Sequence, residues 1–379
     1  VMQHLENFDS FTFFEKTGGH IMTNMLESNV SDLMLLLTAQ SVKEKIAITD
    51  VTAEIIKDSR GVPTVSVTVI ADEYSGTFGV PSGASTGDNE VVVLPAKRTL
   101  QIIQKQIKPA LLGMSITDQM GIDSLLHEID GTDNFANIGG NTALGISVAA
   151  CKAAAAAKGI EVWQHVAELF SYQEQAVTPR LFVNLINGGK HAKFGSEIQE
   201  HQIIPDTDDV HEAFAAAKAV QQALKEILLE QYKETNITIG DEGGYVVPST
   251  TVMEPFSYIA EAVKRAAVAT PILLGADIAA SSFCKKGTYT LEKKDYSSAE
   301  LLDMYKVLHD TFPMLQMVED PYEEHDFAGF AAYKDAHPSV LTIGDDLTTT
   351  NKIQLKRALE ADAINAIIIK PNQIGTLSD

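Results

Sequence analysis

The stretch LQMVEDPYEEHDFAGFAAYKDAHPSVLTIGDD, residues 315–346, decides the fold of this chain. It opens and closes on a short apolar run that ends in acidic residues, with a helix-like segment between them. Two short strands joined by a helix are typical of a sheet with helical crossovers. Runs of the same kind surround it: LFVNLING (181–188), EHQIIP (200–205), ILLGAD (272–277) and AIIIK (366–370). We therefore predict an α/β fold whose later part is a (β/α) barrel, with about six strands supplied by these runs.

Ionisable side chains end four of these runs: Asp277, Glu319, Asp345 and Lys370. A single acidic residue after a strand is usually a helix N-cap or a solvated loop residue. Here three carboxylates and one amine occupy equivalent positions, and the carboxyl ends of barrel strands converge on one face. Converging carboxylates repel one another unless a cation neutralises them, and a hard divalent ion with oxygen ligands is the natural occupant. We predict a Mg²⁺ site, and the lack of His and Cys at these strand ends argues against zinc.

Lys370 is the candidate base of this site. Burial and nearby positive charge, including a bound metal ion, both lower the pKa of an ammonium group, so we expect Lys370 to be deprotonated enough to accept a proton. A base beside a metal ion indicates proton abstraction next to a carboxylate. Two glycine-rich stretches, NGGKHAKFG with His191 and GDEGG with Glu242, are expected near the barrel mouth together with Glu200. Glu200 and Glu242 are candidates for general-acid catalysis on a leaving group.

The bulk composition limits the class of protein. The chain has 379 residues, of which 45% are hydrophobic and 21% charged, and its formal charge is −22. No uninterrupted apolar segment reaches the ~18 residues of a membrane span. The acidic excess argues against a nucleic-acid surface, because phosphate binding needs clustered Lys and Arg. The two cysteines, Cys151 and Cys284, form neither a metal-binding spacing nor a disulfide framework, which fits a reducing cytoplasm.

A chain of this length is expected to contain more than one domain. Residues 1–45 are predicted to be an N-terminal extension, helical or disordered, in which residues 30–44 have the pattern of an amphipathic helix. Residues 46–175 are predicted to form an α+β domain, and residues 176–379 the barrel domain.

Within the α+β domain, residues 46–71 contain two alternating β-rich runs joined by DSRGVP, which predicts a hairpin. The following loop, residues 81–89, consists of small residues and is expected to be mobile. Helical patterns are found near residues 97–111 and 142–158.

The motifs taken together resemble the enolase family. The matching segments occur in the family's order and include DSRGVPTVSV, VPSGASTG, IGGNTALGISVA, NLINGGKHA, GDEGG, VEDPYEEHDF, IGDDLTTTN and IIIKPNQIGTLSD. They cover roughly residues 46–379, and GTFGVPSGASTG and GDEGGYVVPS look most similar to archaeal-type members. The resemblance implies an enolase-type (β/α)8 barrel behind an α+β domain.

The resemblance also implies the reversible, Mg²⁺-dependent dehydration of 2-phosphoglycerate to phosphoenolpyruvate in glycolysis and gluconeogenesis. Enolase-superfamily sites in general pair a Lys or His base with Mg²⁺. Family members are commonly homodimers. The residues of this chain that match family roles are the metal ligands Asp277, Glu319 and Asp345, Ser85 for a second Mg²⁺, the base Lys370 acting at C2, the acid Glu242 acting on the C3 hydroxyl, and the pocket partners Glu200 and His191.

The chain also departs from the family pattern. The family continues past NQIGTLS into segments that hold the substrate phosphate and carboxylate, so we expect an incomplete barrel, unstable or inactive on its own. His201 stands where Phe is usual, Lys193 replaces a Gly, and Ser282 replaces a Glu. Two alternatives stay open: a different enolase-superfamily lyase or racemase, and a catalytically inactive protein with a binding or structural role.

Overall fold

The computed structural model describes residues 46–83, 89–172, 177–189, 195–232, 237–240 and 242–379. Every described residue belongs to one compact unit, Lys45–Asp379. The predictions for residues 1–45 and for mobility of the loop at 84–88 therefore lie outside the described residues.

The first part of the described chain is an antiparallel meander with helices on it. Strands β1 (Asp50–Lys57), β2 (Pro63–Ala71) and β3 (Tyr74–Gly79) follow one another in space as in sequence. Lys57 pairs with Pro63 across the DSRGVP turn, so the predicted hairpin is confirmed. The helices are α1 (Ala96–Ile102), α2 (Lys108–Leu111), α3 (Gln119–Asp130), α4 (Gly140–Lys158) and α5 (Val162–Leu169), with a π-helical segment at Ile103–Ile107.

Helix α4 packs very close to the meander because the residues that face each other have small side chains. Gly159, in the left-handed conformation with φ of 67°, ends the helix. Gly76 of β3 faces the helix, and a Cβ built on it would lie closer than 3.0 Å to the carbonyl oxygen of Ala149 and the amide of Ala153. Backbone therefore meets backbone at this point.

Among the described residues, no single helix is long and apolar enough to cross a bilayer. Helices α4 and α5 reach that length and composition only as a pair, and they are bent by 102° relative to each other.

The second part is built on an eight-stranded sheet. Its strands, in spatial order, are β14 (Ala366–Ile367), β13 (Leu341–Gly344), β12 (Leu315–Glu319), β8 (Ile272–Asp277), β5 (Glu200–Pro205), β4 (Val183–Asn187), β7 (Tyr245–Val246) and β6 (Thr238–Ile239). All six apolar runs quoted above contain strands of this sheet. The two-residue strands β6 and β7 were not predicted, and neither was the small sheet formed by β9 (Cys284–Lys285), β10 (Thr288–Leu291) and β11 (Lys294–Tyr296).

Four neighbouring strands, β8, β12, β13 and β14, are parallel, as the crossover pattern predicts. Strand β5 runs the opposite way to both of its neighbours, β4 and β8. Its amino end therefore lies at the same edge of the sheet as the carboxyl ends of β8, β12 and β13. Within the described residues, β14 and β6 each pair with one strand only, so the sheet is not closed.

Helices pack on the outer face of this sheet and form its main apolar core together with the strands. They are α6 (Val210–Gln231), α7 (Met253–Ala266), α8 (Ser298–Thr311), α9 (Phe327–Ala336) and α10 (Lys352–Glu360). The short helix α11 (Pro371–Ile374) instead contacts α4. Asp209, Ser297 and Asn351 cap three of them through side-chain oxygens that accept backbone N–H groups. A smaller apolar cluster on the inner face comprises Ile204, Met317 and Ile343.

His201 faces this outer core rather than the inner face, because side chains alternate along β5. Its ring is fully buried and stands edge-on to Phe256, 4.7 Å between centroids. Nδ1 contacts the carbonyl oxygen of Ile186 at 3.1 Å, whereas Nε2 is buried without a partner. Burial lowers the pKa of His201 to about 4.

We expect His201→Phe to remove an acid-dependent loss of stability. The unfolded chain binds this proton below a pKa of about 6.5 and the folded chain only near 4, so stability falls as pH drops through that interval. At pH 5 the penalty is about 2 kcal/mol, and at pH 7.5 it is negligible. Urea unfolding at both pH values should show the variant gaining about that much at pH 5 relative to pH 7.5. His211→Gln, at an exposed position, is the control; an equal gain there would contradict the assignment.

Candidate active site

A cavity of about 480 Å³ lies at the edge of the sheet where the carboxyl ends of β8, β12 and β13 meet the amino end of β5. Six residues singled out from the sequence line it: Glu200, Glu242, Asp277, Glu319, Asp345 and Lys370. Residues that the sequence argument did not single out also line it, among them Gln199, Asp320, Asp346 and Gln373.

The three predicted metal ligands are positioned by consecutive parallel strands. Asp277 and Glu319 are the last residues of β8 and β12 and pair with each other in the ladder, and Asp345 directly follows β13. Asp277 and Asp345 are buried, 6% and 8% exposed. Burial, and then repulsion from neighbouring carboxylates, raise the pKa of both Asp277 and Glu319 well above the usual range. The site therefore concentrates negative charge that a cation would relieve.

Asp320 adds a fourth carboxylate that the pattern did not reveal. It is 3% exposed and accepts the backbone N–H of Asp345 at 3.0 Å and that of Asp346 at 2.7 Å, one on each oxygen. Burial, followed by repulsion from Asp346 and Asp345, raises its pKa. Asp320 thus holds the turn after β13 in place. Its sequence signal was present, since it is the second acid of VED, but a pattern does not tell which acid of a pair faces the cavity.

The Asp277 carboxylate is also oriented by its neighbours. Gln199 donates from Nε2 to Oδ2 at 2.8 Å, and the backbone N–H of Ala279 reaches Oδ1 at 3.0 Å. Gln199 comes one residue before β5, so the reversed strand supplies this contact as well.

Lys370 extends into the carboxylate cluster from beyond β14. Its Nζ donates to Oδ2 of Asp345, and the side chain stays 44% exposed. Burial alone would lower its pKa, but Asp345, Glu319 and Asp277 outweigh that effect and raise the pKa above the usual value. The lowered pKa expected from the sequence depends on a bound metal ion, so it stays a prediction.

Glu200 and Glu242 reach the cavity from β5 and from the turn between β6 and β7. Glu200 is the first residue of β5, stands opposite Asp277 in the ladder, and accepts a hydrogen bond from Gln202 at 2.7 Å. Glu242 is on the GDEGG turn, where Asn184 and Asn187 of β4 both donate to its Oε2 at 3.4 Å. Asn187 also accepts the N–H of Gly244 at 3.0 Å, which fixes the turn to the strand.

Two predicted site residues, His191 and Ser85, lie outside the described residues. The predictions of a pocket partner and of a ligand to a second Mg²⁺ therefore stay predictions.

The donor set fits a hard divalent cation. Carboxylate oxygens of Glu319, Asp320 and Asp345 lie within 4.8 Å of one another, whereas Asp277, the remaining predicted ligand, is not part of this group. Oxygens bound to Mg²⁺ at 2.0–2.1 Å are separated by about 3 to 4 Å, so small side-chain movements would bring three of them onto one ion. Buried oxygen donors without His or Cys favour Mg²⁺ over zinc.

Comparison with known proteins agrees with this fold. Residues 48–166 match the family model for the enolase N-terminal domain, and residues 175–379 match that for the enolase C-terminal TIM barrel domain. The enolase of Thermococcus kodakarensis is 38% identical over 348 residues, which cover 88% of this chain and 80% of that protein. The enolases of Methanocaldococcus jannaschii and Pyrococcus furiosus are 38% and 37% identical over similar lengths. The α/β barrel fold behind an α+β domain is thereby confirmed, and the chain belongs to the enolase family.

Proposed function

We propose that this site catalyses the reversible, Mg²⁺-dependent dehydration of 2-phosphoglycerate to phosphoenolpyruvate. The observation that carries the proposal is the convergence of Asp277, Glu319, Asp345 and Lys370 in one cavity that Glu200 and Glu242 also line. Asp277, Glu319 and Asp345 would hold the ion. Mg²⁺, when bound, supplies positive charge that neutralises these carboxylates and stabilises the charge that develops on the substrate carboxylate.

The proposed chemistry is a balanced elimination. Lys370 accepts the proton from C2 at Nζ, the electron pair of that C–H bond forms the C2–C3 double bond, and the C3–O bond breaks. Glu242 donates a proton to the departing hydroxyl, which leaves as water. Asn184 and Asn187 hold Glu242 at the cavity through its Oε2, and Glu200 contributes a further carboxyl group to the lining.

Lys370 can accept the C2 proton only when its amine is neutral. Nζ must be deprotonated first, yet the surrounding carboxylates raise its pKa. Asp345, which accepts its hydrogen bond, is one of the proposed metal ligands. The carboxylate that holds the lysine protonated is thus the one whose charge the ion would neutralise.

Asp345→Asn tests the metal site directly. We expect Mg²⁺ affinity, measured by titration calorimetry, to fall by at least about 10-fold, because one charged ligand is lost and hard cations prefer charged oxygens. Phosphoenolpyruvate formation, followed by its absorbance, should fall in parallel. Asp335→Asn, at an exposed position on α9, should change neither. Unaltered Mg²⁺ binding in Asp345→Asn would refute the proposed ligand set.

A second candidate is a catalytically inactive enolase-like protein with a binding role. It is favoured by the raised pKa of Lys370, since a lysine held protonated by neighbouring carboxylates is a poor base. Wild-type protein that binds Mg²⁺ but forms no phosphoenolpyruvate from 2-phosphoglycerate, with or without the ion, would support this candidate. Turnover of another carboxylate substrate alone would instead indicate a different lyase or racemase.

The resemblance further leads us to propose a cytoplasmic location and a homodimeric state. Cys151 and Cys284 are both free thiols, which is consistent with the former. The homodimer rests on the family resemblance alone.

A further inference from the structure

The side chain of Gln373, which lines the cavity, connects two polar groups of the site. Gln373 is the third residue of α11, 4% exposed, and both ends of its side-chain amide are used. Nε2 donates to Oδ1 of Asp345 at 3.3 Å, and Oε1 accepts from Oγ1 of Thr350 at 2.8 Å. Since Lys370 donates to the other Asp345 oxygen, Oδ2, the carboxylate is held from both sides.

Thr350 links this bridge to the backbone of Lys370. Its Oγ1 accepts the Lys370 N–H at 2.8 Å, which leaves the hydroxyl proton to be donated to Gln373. The amide orientation of Gln373 follows: the oxygen faces Thr350 and the nitrogen faces the Asp345 carboxylate. The backbone oxygen of Gln373 in turn accepts the N–H of Val91, from the first domain, at 3.0 Å.

The turn that presents Thr350 is strained, which is an independent sign that its position matters. Thr349 and Thr350 have φ of 45° and 54°, in the left-handed region. β-Branched residues are rarely found there, and two in succession persist only where the surrounding structure holds them. Thr349 is fully buried in this turn.

We propose that Gln373, acting through Thr350, is a positioning residue that fixes the Asp345 carboxylate and the Lys370 backbone for metal binding and proton transfer. The inference rests on the proposed function, since it assigns roles to Asp345 and Lys370 that belong to it. Gln is suited to the position because it supplies one donor and one acceptor; Glu would place another carboxylate against Asp345, and an apolar side chain would leave both partners unsatisfied.

The test uses Gln373→Met and a matched pair of variants at its hydrogen-bond partner Thr350. Mg²⁺ affinity is measured by titration calorimetry on the folded full chain, so the readout does not depend on turnover. We expect the dissociation constant to rise about 10- to 100-fold in Gln373→Met, as for other residues that orient metal ligands. Thr350→Val, which keeps the shape but loses the hydroxyl, should show a similar rise. Thr350→Ser, which keeps the hydroxyl, should bind Mg²⁺ like the wild type.

Two further variants separate positioning from general stability. The double variant Gln373→Met/Thr350→Val should bind Mg²⁺ within about twofold of the weaker single variant, because both changes break one network. Gln222→Met, on the exposed face of α6, should be neutral. A lower free energy of unfolding with unchanged Mg²⁺ affinity in Gln373→Met, or a loss of affinity in Thr350→Ser equal to that in Thr350→Val, would overturn the inference. Wild-type protein that binds no Mg²⁺ would overturn the proposed metal site, and this inference with it.

Discussion

Lys370→Met lowers the rate of phosphoenolpyruvate formation by about 10²- to 10⁴-fold, the range typical of a lost general base. Methionine has a similar length and no basic nitrogen, so the C2 proton has no acceptor. The affinity for Mg²⁺ should instead increase. Lys370 donates to Asp345 and adds a positive charge beside the carboxylates. Its removal therefore takes away a cation that competes with Mg²⁺ for Asp345.

The opposite signs of these two effects make the Lys370 assignment specific. Initial rates and calorimetric Mg²⁺ titrations on the same preparations measure them. Lys352→Met, at an exposed position in the first turn of α10, serves as the matched control and should alter neither. If Lys370→Met weakened Mg²⁺ binding as Asp345→Asn does, Lys370 would be part of the support for the ion rather than the base.

Gly76→Ala is expected to destabilise the first domain by about 3 kcal/mol or more. In most strand interiors this change is mildly stabilising, because Gly is the more flexible residue when unfolded. Here the added Cβ would meet the backbone of Ala149 and Ala153 on α4 at less than 3.0 Å. Neither atom is the end of a flexible side chain, so helix and sheet must separate, which puts the cost at or above the upper end of the ~1–3 kcal/mol typical of overpacking.

Equilibrium unfolding in urea measures the effect. Ser75→Ala changes the adjacent, exposed residue of the same strand and should stay within about 0.5 kcal/mol of the wild type. A Gly76→Ala protein as stable as Ser75→Ala would show that α4 does not lie as close to β3 as the structure has it.

The strands and the acidic rim were predictable because their signals are local. Each apolar run is short, bounded by turn residues, and followed by an ionisable side chain, so Asp277, Glu319 and Asp345 could be placed at one edge of a sheet. The pairing of β8, β12 and β13 confirms that placement. Their roles as metal ligands remain proposals.

Two kinds of feature could not be predicted from the sequence: the direction of a strand and the contacts made by uncharged side chains. The reversal of β5 leaves no mark in the alternation of EHQIIP, so the sequence did not show that Glu200 is a ladder partner of Asp277. Gln373 and Thr350 carry no charge pattern, and only their positions in space connect them to Asp345. The direction of the Lys370 pKa shift required knowing which charges surround it.

The reversed strand β5 also limits which sequence changes this part of the cavity lining can accept during evolution. Six residue pairs join β5 to β8, from Glu200 opposite Asp277 to Pro205 opposite Ile272. Inserting or deleting one residue inside this ladder would exchange its two faces, turning Glu200 outward and bringing His201 towards the carboxylates. Length variation should therefore be rejected between Glu200 and Pro205, so this strand can diverge by substitution but not by changes in length.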